Sequence, residues 1–209
     1  MLQVKNLIKK YGRKTILKIE KLHIERGIVH LKGINGSGKS TFSKIVAGIL
    51  PFQGELILNQ KFSATGNAVE YRKLVNYGVP EPSYPEFLTA FDLITFVGKA
   101  KGAPKSSFLT IANKFGITEY MYDHICTYSS GMIKRLSLCL AFLGNPELIL
   151  LDEPFNTLDK EVIENLINMI KDYHKKGVNF ILVSHQGINS LGIPISASFT
   201  VDNLTIGQD

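Results

Sequence analysis

Gly33-Ile34-Asn35-Gly36-Ser37-Gly38-Lys39-Ser40-Thr41 fits the pattern GxxxxGK[ST] without a mismatch. Glycines at those spacings leave backbone N–H groups unobstructed, so the loop can surround a polyphosphate. Lys39 adds a point charge for the β- and γ-phosphates, and the Ser40 hydroxyl is placed to ligate Mg²⁺. The flanking residues suit such a loop. Gly27-Ile28-Val29-His30-Leu31-Lys32 precedes it as a short β-prone run, and Phe42, Ile45, Val46 and Ile49 follow at helical spacing up to Pro51. Strand, glycine loop and helix are what the chemistry needs, since the helix N-terminus also attracts the anion. The expected phosphate contacts are Gly33, Asn35, Gly36, Ser37, Gly38, Lys39, Ser40 and Thr41.

A second acidic motif lies far downstream. Leu148-Ile149-Leu150-Leu151-Asp152-Glu153 is an apolar strand ending in two carboxylates. At the C-terminal edge of a parallel sheet they come beside the phosphate loop. Asp152 is expected to hold Mg²⁺ from the far side, usually through water, and Glu153 to polarise the water that attacks the γ-phosphate.

Between and around these motifs, strands alternate with helical stretches. The first 30 residues read as short strands with a turn near Tyr11-Gly12-Arg13, and a strand is expected over Glu55-Leu56-Ile57-Leu58 after the turn Pro51-Phe52-Gln53-Gly54. Three prolines make 78–86 a loop. From Phe87 to about Asn145 the pattern is mainly helical, broken by Lys99-Ala100-Lys101-Gly102-Ala103-Pro104. Val162, Ile163, Leu166, Ile167, Ile170 and Tyr173 share one helical face, and Phe180-Ile181-Leu182-Val183 reads as a buried strand. The alternation argues for an α/β fold with a mostly parallel sheet and helices on both faces.

Bulk properties narrow the class. With 209 residues, 44% hydrophobic and 20% charged, the chain is sized and composed as one globular domain. No apolar run approaches the roughly 18 residues that span a bilayer, and no secretory h-region opens the chain, so a cytoplasmic location is expected. Cys126 and Cys139 form neither a CxxC pattern nor a disulfide framework. The net charge of +6 sits entirely in residues 1–26, which hold eight lysines and arginines against Glu20 and Glu25. Those lysines either protect edge strands or attract nucleotide phosphates or an anionic membrane surface. No aromatic-interleaved basic surface is present, and no nucleic-acid partner is expected.

Further segments then carry a resemblance. Tyr128-Ser129-Ser130-Gly131-Met132, about twenty positions before Asp152, resembles the LSGGQ-type signature of ATP-binding-cassette (ABC) ATPases. Pro154-Phe155-Asn156-Thr157-Leu158-Asp159 resembles the family's D-loop, and Val183-Ser184-His185 its switch histidine. Tyr11 sits where the family has an aromatic that stacks on adenine. The order and spacing agree from Tyr11 to His185. The resemblance implies a P-loop NTPase fold with an N-terminal antiparallel β lobe and an inserted helical lobe. The core is expected at about 1–83 and 147–209 and the helical lobe at about 84–146 of a single domain. It also implies that two such domains meet head-to-tail around two MgATP. Ser129 and Gly131 of one subunit then cap the γ-phosphate held by Lys39 and Ser40 of the other, with Asp159 bracing that contact. Glu153, His185 and Lys39 are the implied catalytic residues.

The chain departs from the family pattern at one position that matters. ABC domains usually carry a glutamine where the core meets the helical lobe, touching Mg²⁺ and the attacking water. Between Lys61 and His185 there is no glutamine, and by its context in Tyr77-Gly78-Val79-Pro80-Glu81-Pro82 the position falls to Glu81. A carboxylate is a harder Mg²⁺ ligand than an amide, but it adds negative charge near Glu153 and the γ-phosphate. In the signature, Tyr128 replaces leucine, Ser130 the first glycine and Met132 the glutamine, while Ser129 and Gly131 are kept.

These readings lead to an ATP-hydrolysing subunit, peripheral on the inner face of the cell membrane. It is expected to power a separate transmembrane permease, with a second ABC subunit as partner in a homo- or heterodimer. The compact length suggests an exporter-type subunit. The alternative is a soluble ABC ATPase acting in cofactor assembly or another process without transport.

Overall fold

The computed structural model describes residues 1–185 and 187–209. β1 (Leu2–Tyr11) and β2 (Lys14–Ile24) form a long hairpin whose inward residues, among them Leu2, Val4, Leu7, Leu17 and Ile19, are buried. Their lysines face out, apart from the buried Lys9, as expected of an antiparallel sheet with one wet face. β3 (Ile28–Lys32) runs into the glycine loop and α1 (Lys39–Val46) leaves it. β4 (Gln53–Leu58) and β5 (Phe62–Ser63) complete a four-stranded sheet in the order β2-β1-β4-β5.

The remaining elements build the second sheet and its helical cover. They are α2 (Ala68–Leu74), β6 (Val75–Gly78), α3 (Ala90–Ala100), α4 (Lys105–Lys114), α5 (Ser130–Ala141), β7 (Leu148–Asp152), α6 (Lys160–Lys175), β8 (Asn179–Val183), β9 (Ala197–Asp202) and β10 (Thr205–Gln208). Six strands lie in the order β10-β9-β3-β8-β7-β6, parallel throughout except for β10. Alternation along β7 and β8 divides the core. Leu148, Leu150, Ile181 and Val183 pack toward α1 and the antiparallel sheet, whereas Ile149, Leu151, Phe180 and Leu182 pack with residues of α3, α5 and α6. The fold is thus the mixed α/β arrangement expected, with an antiparallel β lobe beside a parallel-rich sheet.

Local details differ from the sequence expectation. β4 begins at Gln53, because Gly54 at φ 106° lets the strand run close against the Asn6 carbonyl, where a Cβ would stand 2.3 Å away. The helical pattern after Phe87 is interrupted from Phe115 to Ser129, following the left-handed Gly116 that ends α4. α2 and β6 carry no clear periodic signal. β6 holds the polar Asn76 in its interior, and that residue is buried by donating to the Ala141 and Leu143 carbonyls at 2.8 and 2.7 Å. Among the described residues no helix is long and apolar enough to cross a membrane.

Candidate nucleotide site

Parallel strands bring their C-terminal ends to one edge, and four of those ends converge here. β3 delivers the glycine loop, β7 ends at Asp152, β8 leads to Ser184 and His185, and β6 leads to Pro80 and Glu81. A cavity of about 470 Å³ opens between them, lined by Asn35, Gly36, Gly38, Lys39, Ser40 and Thr41 together with Glu81, Asp152 and Glu153. Tyr11, half exposed at the end of β1, forms one wall of it with Ile16.

The loop backbone explains the glycines. A Cβ at Gly36, with φ 80°, would meet nothing within 4 Å, so the space it would fill is left to a ligand. Gly33 is different. With φ 151° it abuts Val201, whose carbonyl would lie 2.6 Å from an added Cβ, so its glycine serves the fold as well as the loop. The N-terminus of α1, capped by left-handed Gly38, has no side-chain cap, and its free N–H groups face the same space. Lys39 Nζ donates to the carbonyls of Gly33 and Ile34 at 2.8 and 2.9 Å, held across the loop whose ligand it would meet.

Asp152 is only 1% exposed, and the Tyr77 hydroxyl donates to its Oδ2 at 3.1 Å. Burial pushes its carboxyl above the usual range, opposed by hydrogen bonds from Ser40 and Tyr77. Glu153 follows with φ 46°, a left-handed backbone that costs a non-glycine residue on the order of 1 kcal/mol or more. Its N–H is tied to the Val183 carbonyl at 2.9 Å. Its Oε1 accepts both the backbone N–H and the ring Nδ1 of His185, at 3.0 and 2.8 Å. His185 itself borders an adjoining cleft with Gly33, Ile34 and Asn35.

Three expected residues lie elsewhere. Ser129 is the exposed N-cap of α5, accepting the Met132 N–H at 3.2 Å, which leaves its own O–H available as a donor. Gly131 follows two residues on, within the first turn of α5, with nothing closer than 3.7 Å to a would-be Cβ. Asp159 caps α6 through the Val162 N–H at 3.0 Å and pairs with Arg135 of α5. The Val162 hydrogen bond, and then Arg135, hold its carboxyl below the usual range. None of the three lines the cavity with Lys39.

Two residues of the site escaped the sequence reading. Tyr77 grips Asp152, and Lys134 is buried within hydrogen-bond reach of the Asp152 carbonyl at 3.3 Å. Burial pushes the Lys134 ammonium down to about 8 against the attraction of Asp152, Glu153 and Glu81. A signal for Lys134 was present: it shares a helical face with Ser137, Leu138 and Ala141, where an isolated charge is out of place.

The donors fit a magnesium triphosphate. Mg²⁺ is commonly held by one or two carboxylates plus substrate phosphates, and Ser40, Asp152 and Glu81 offer one hydroxyl and two carboxylates around the phosphate space. Among the described residues no group of three or more His, Cys, Asp or Glu could hold a metal by itself.

Comparison with known proteins places this geometry. The ABC transporter family profile matches residues 17–156. The chain is 32% identical over 188 residues to the lantibiotic transport ATP-binding protein SrtF of Streptococcus pyogenes, covering 88% of this chain and 80% of that one. It is 29% identical over 196 residues to the methionine import ATP-binding protein MetN of Clostridioides difficile, covering 89% of this chain and 61% of that one. In fold it resembles a dimeric ATP-binding cassette solved in a post-hydrolysis state with ADP and phosphate, with a TM-score of 0.84 and 20% identity over 100% of this chain and 98% of the other. The chain therefore belongs to the ABC transporter family, as one of its ATP-binding, ATPase subunits.

Proposed function

We propose that this subunit clasps MgATP between two head-to-tail copies, or between itself and a related subunit, and uses the hydrolysis cycle to drive a separate transmembrane permease. The observation that carries this reading is a division of labour within one chain. The phosphate loop, Asp152 and Glu153 surround one cavity, while the exposed Ser129 and half-buried Gly131 at the start of α5 lie outside it. An uncapped hydroxyl donor and the N–H groups of a helix start are suited to an anion brought by a second subunit.

Within that clasp, Lys39 exchanges its loop carbonyls for phosphate oxygens, and Tyr11 stacks on the adenine. Glu153 accepts a proton from the attacking water, and His185 holds the Glu153 carboxylate in place while reaching toward the γ-phosphate side. Ser40, Asp152 and Glu81 would hold the magnesium ion, which when bound neutralises the phosphate charge. Asp159 keeps α6 and α5 in register at the contact between subunits. Residues 84–146 form the helical lobe that receives the permease, and residues 1–83 and 147–209 the nucleotide-binding core.

The lantibiotic-transport relative is somewhat closer in identity and is covered over more of its length than the methionine importer. In this reading the transporter is of exporter type, with this subunit on the inner face of the membrane. Purified protein should release phosphate from ATP only with Mg²⁺, and detergent extraction should retrieve it with a polytopic membrane protein. Recovery without any membrane protein, at undiminished ATPase rate, would favour a process without transport.

A further inference from the structure

Lys134 is the one basic side chain of α5 that points inward, and it is 3% exposed. Its Nζ lies 3.3 Å from the Val79 carbonyl, 3.1 Å from that of Pro80 and 3.3 Å from that of Asp152. An ammonium has three protons and no lone pair, so these three acceptors use its whole donor capacity. Two acceptors belong to the segment that leads directly into Glu81. The third belongs to the residue after which Glu153 follows. Ser137, one turn along α5, adds to the same junction by accepting the Val79 N–H at 3.0 Å.

We propose that Lys134 is a positioning residue that makes the start of α5, the Glu81 segment and the end of β7 move as one body. The helix that presents Ser129 and Gly131 to a second subunit is thereby tied to the two carboxylates of its own subunit's site. An apolar side chain of the same length would take this donor from the Pro80 and Asp152 carbonyls, leave Val79 with the Ser137 hydroxyl at 3.3 Å, and let the Glu81 segment shift independently of Asp152. The inference rests on the assignment of Glu81 and Glu153 to the site.

Lys101 supplies the control. It too is a largely buried lysine donating to backbone carbonyls, those of Arg72 and of Val75 at 2.9 Å, but it is remote from the cavity. Steady-state kcat and KM for MgATP and the thermal midpoint are to be measured for Lys134→Met and Lys101→Met. Both should lose stability. Only Lys134→Met should lose kcat, about tenfold or more, with KM changed less than about threefold. It should also be non-additive with Glu81→Gln in a double-mutant cycle. If Lys134→Met does not fold, Lys134→Gln takes its place, with a kcat loss of threefold or more expected. A kcat no lower than that of Lys101→Met, or strict additivity with Glu81→Gln, overturns the proposal. Full turnover by Glu153→Gln would instead overturn the site assignment beneath it.

Discussion

Glu153 and His185 meet at a single oxygen: Oε1 of the carboxylate receives both the backbone N–H and the ring Nδ1 of the histidine. A carboxylate partner fixes the proton on Nδ1 and leaves Nε2 as the ring's acceptor nitrogen. The left-handed backbone of Glu153 is what turns its side chain back onto the β8 terminus. His185→Ala would leave the carboxylate with the backbone N–H at Oε1 and the Asn156 amide at 3.4 Å from Oε2. Turnover should fall by about 10²-fold, with nucleotide binding to the single subunit nearly unchanged, as read by steady-state kinetics and equilibrium titration.

Glu81, which the sequence context of its segment suggests takes the place of a glutamine, lines the same cavity as Glu153. Its charge assists metal retention and opposes charge build-up around the γ-phosphate, and in a closed, dry site the second effect should dominate. Glu81→Gln should therefore raise basal kcat several-fold while raising the Mg²⁺ concentration needed for half-maximal rate. Unchanged rate and Mg²⁺ dependence would remove Glu81 from the site.

The two glycines at 33 and 131 should fail differently. Gly33→Ala forces a Cβ against the Val201 carbonyl at a backbone angle that L-residues rarely adopt, so it should destabilise the fold by about 1–3 kcal/mol. A Cβ at Gly131 meets only ordinary contacts within its own chain. Gly131→Ala should unfold like the wild type but lose ATP-driven pairing, because what it obstructs is the second subunit's phosphate. Chemical denaturation together with light scattering separates the two behaviours.

Lys101 predicts a pH dependence of stability. Burial lowers its ammonium to about 8 in the fold against 10.5 in the open chain. Below pH 8 both states hold the proton, and between 8 and 10.5 the unfolded chain binds more, so this group's contribution to stability rises with pH there. The unfolding free energy of wild type minus that of Lys101→Met should increase from pH 8 to 9.5, on the order of 1 kcal/mol per unit at most. Taking the difference cancels the tyrosines and Cys139, which titrate in both proteins.

What the sequence revealed, and what it hid, follows from where the physics is local. The phosphate loop and the Asp152–Glu153 strand end are legible because they are contiguous stretches whose backbone conformation and chemistry coincide. Tyr11 and Glu81 could be placed only through the family resemblance, since each is a single residue whose meaning comes from distant segments. β6 went unread because Asn76 breaks its apolar run, and the compensation comes from the carbonyls of Ala141, the last residue of α5, and of Leu143 just beyond it. Lys134 is conspicuous by its place on the buried face of α5, but its partners are not: the carbonyls that make a buried ammonium tolerable are supplied by three-dimensional folding.

The central claim, that ATP joins two copies through Lys39 and Ser40 on one side and Ser129 and Gly131 on the other, is tested most directly by the mass in solution of Glu153→Gln. Multi-angle light scattering with ATP should give a dimer that neither ADP nor a further Gly131→Ala substitution supports. A particle that stays monomeric with ATP bound, or that pairs equally well with the signature glycine replaced, would contradict the account.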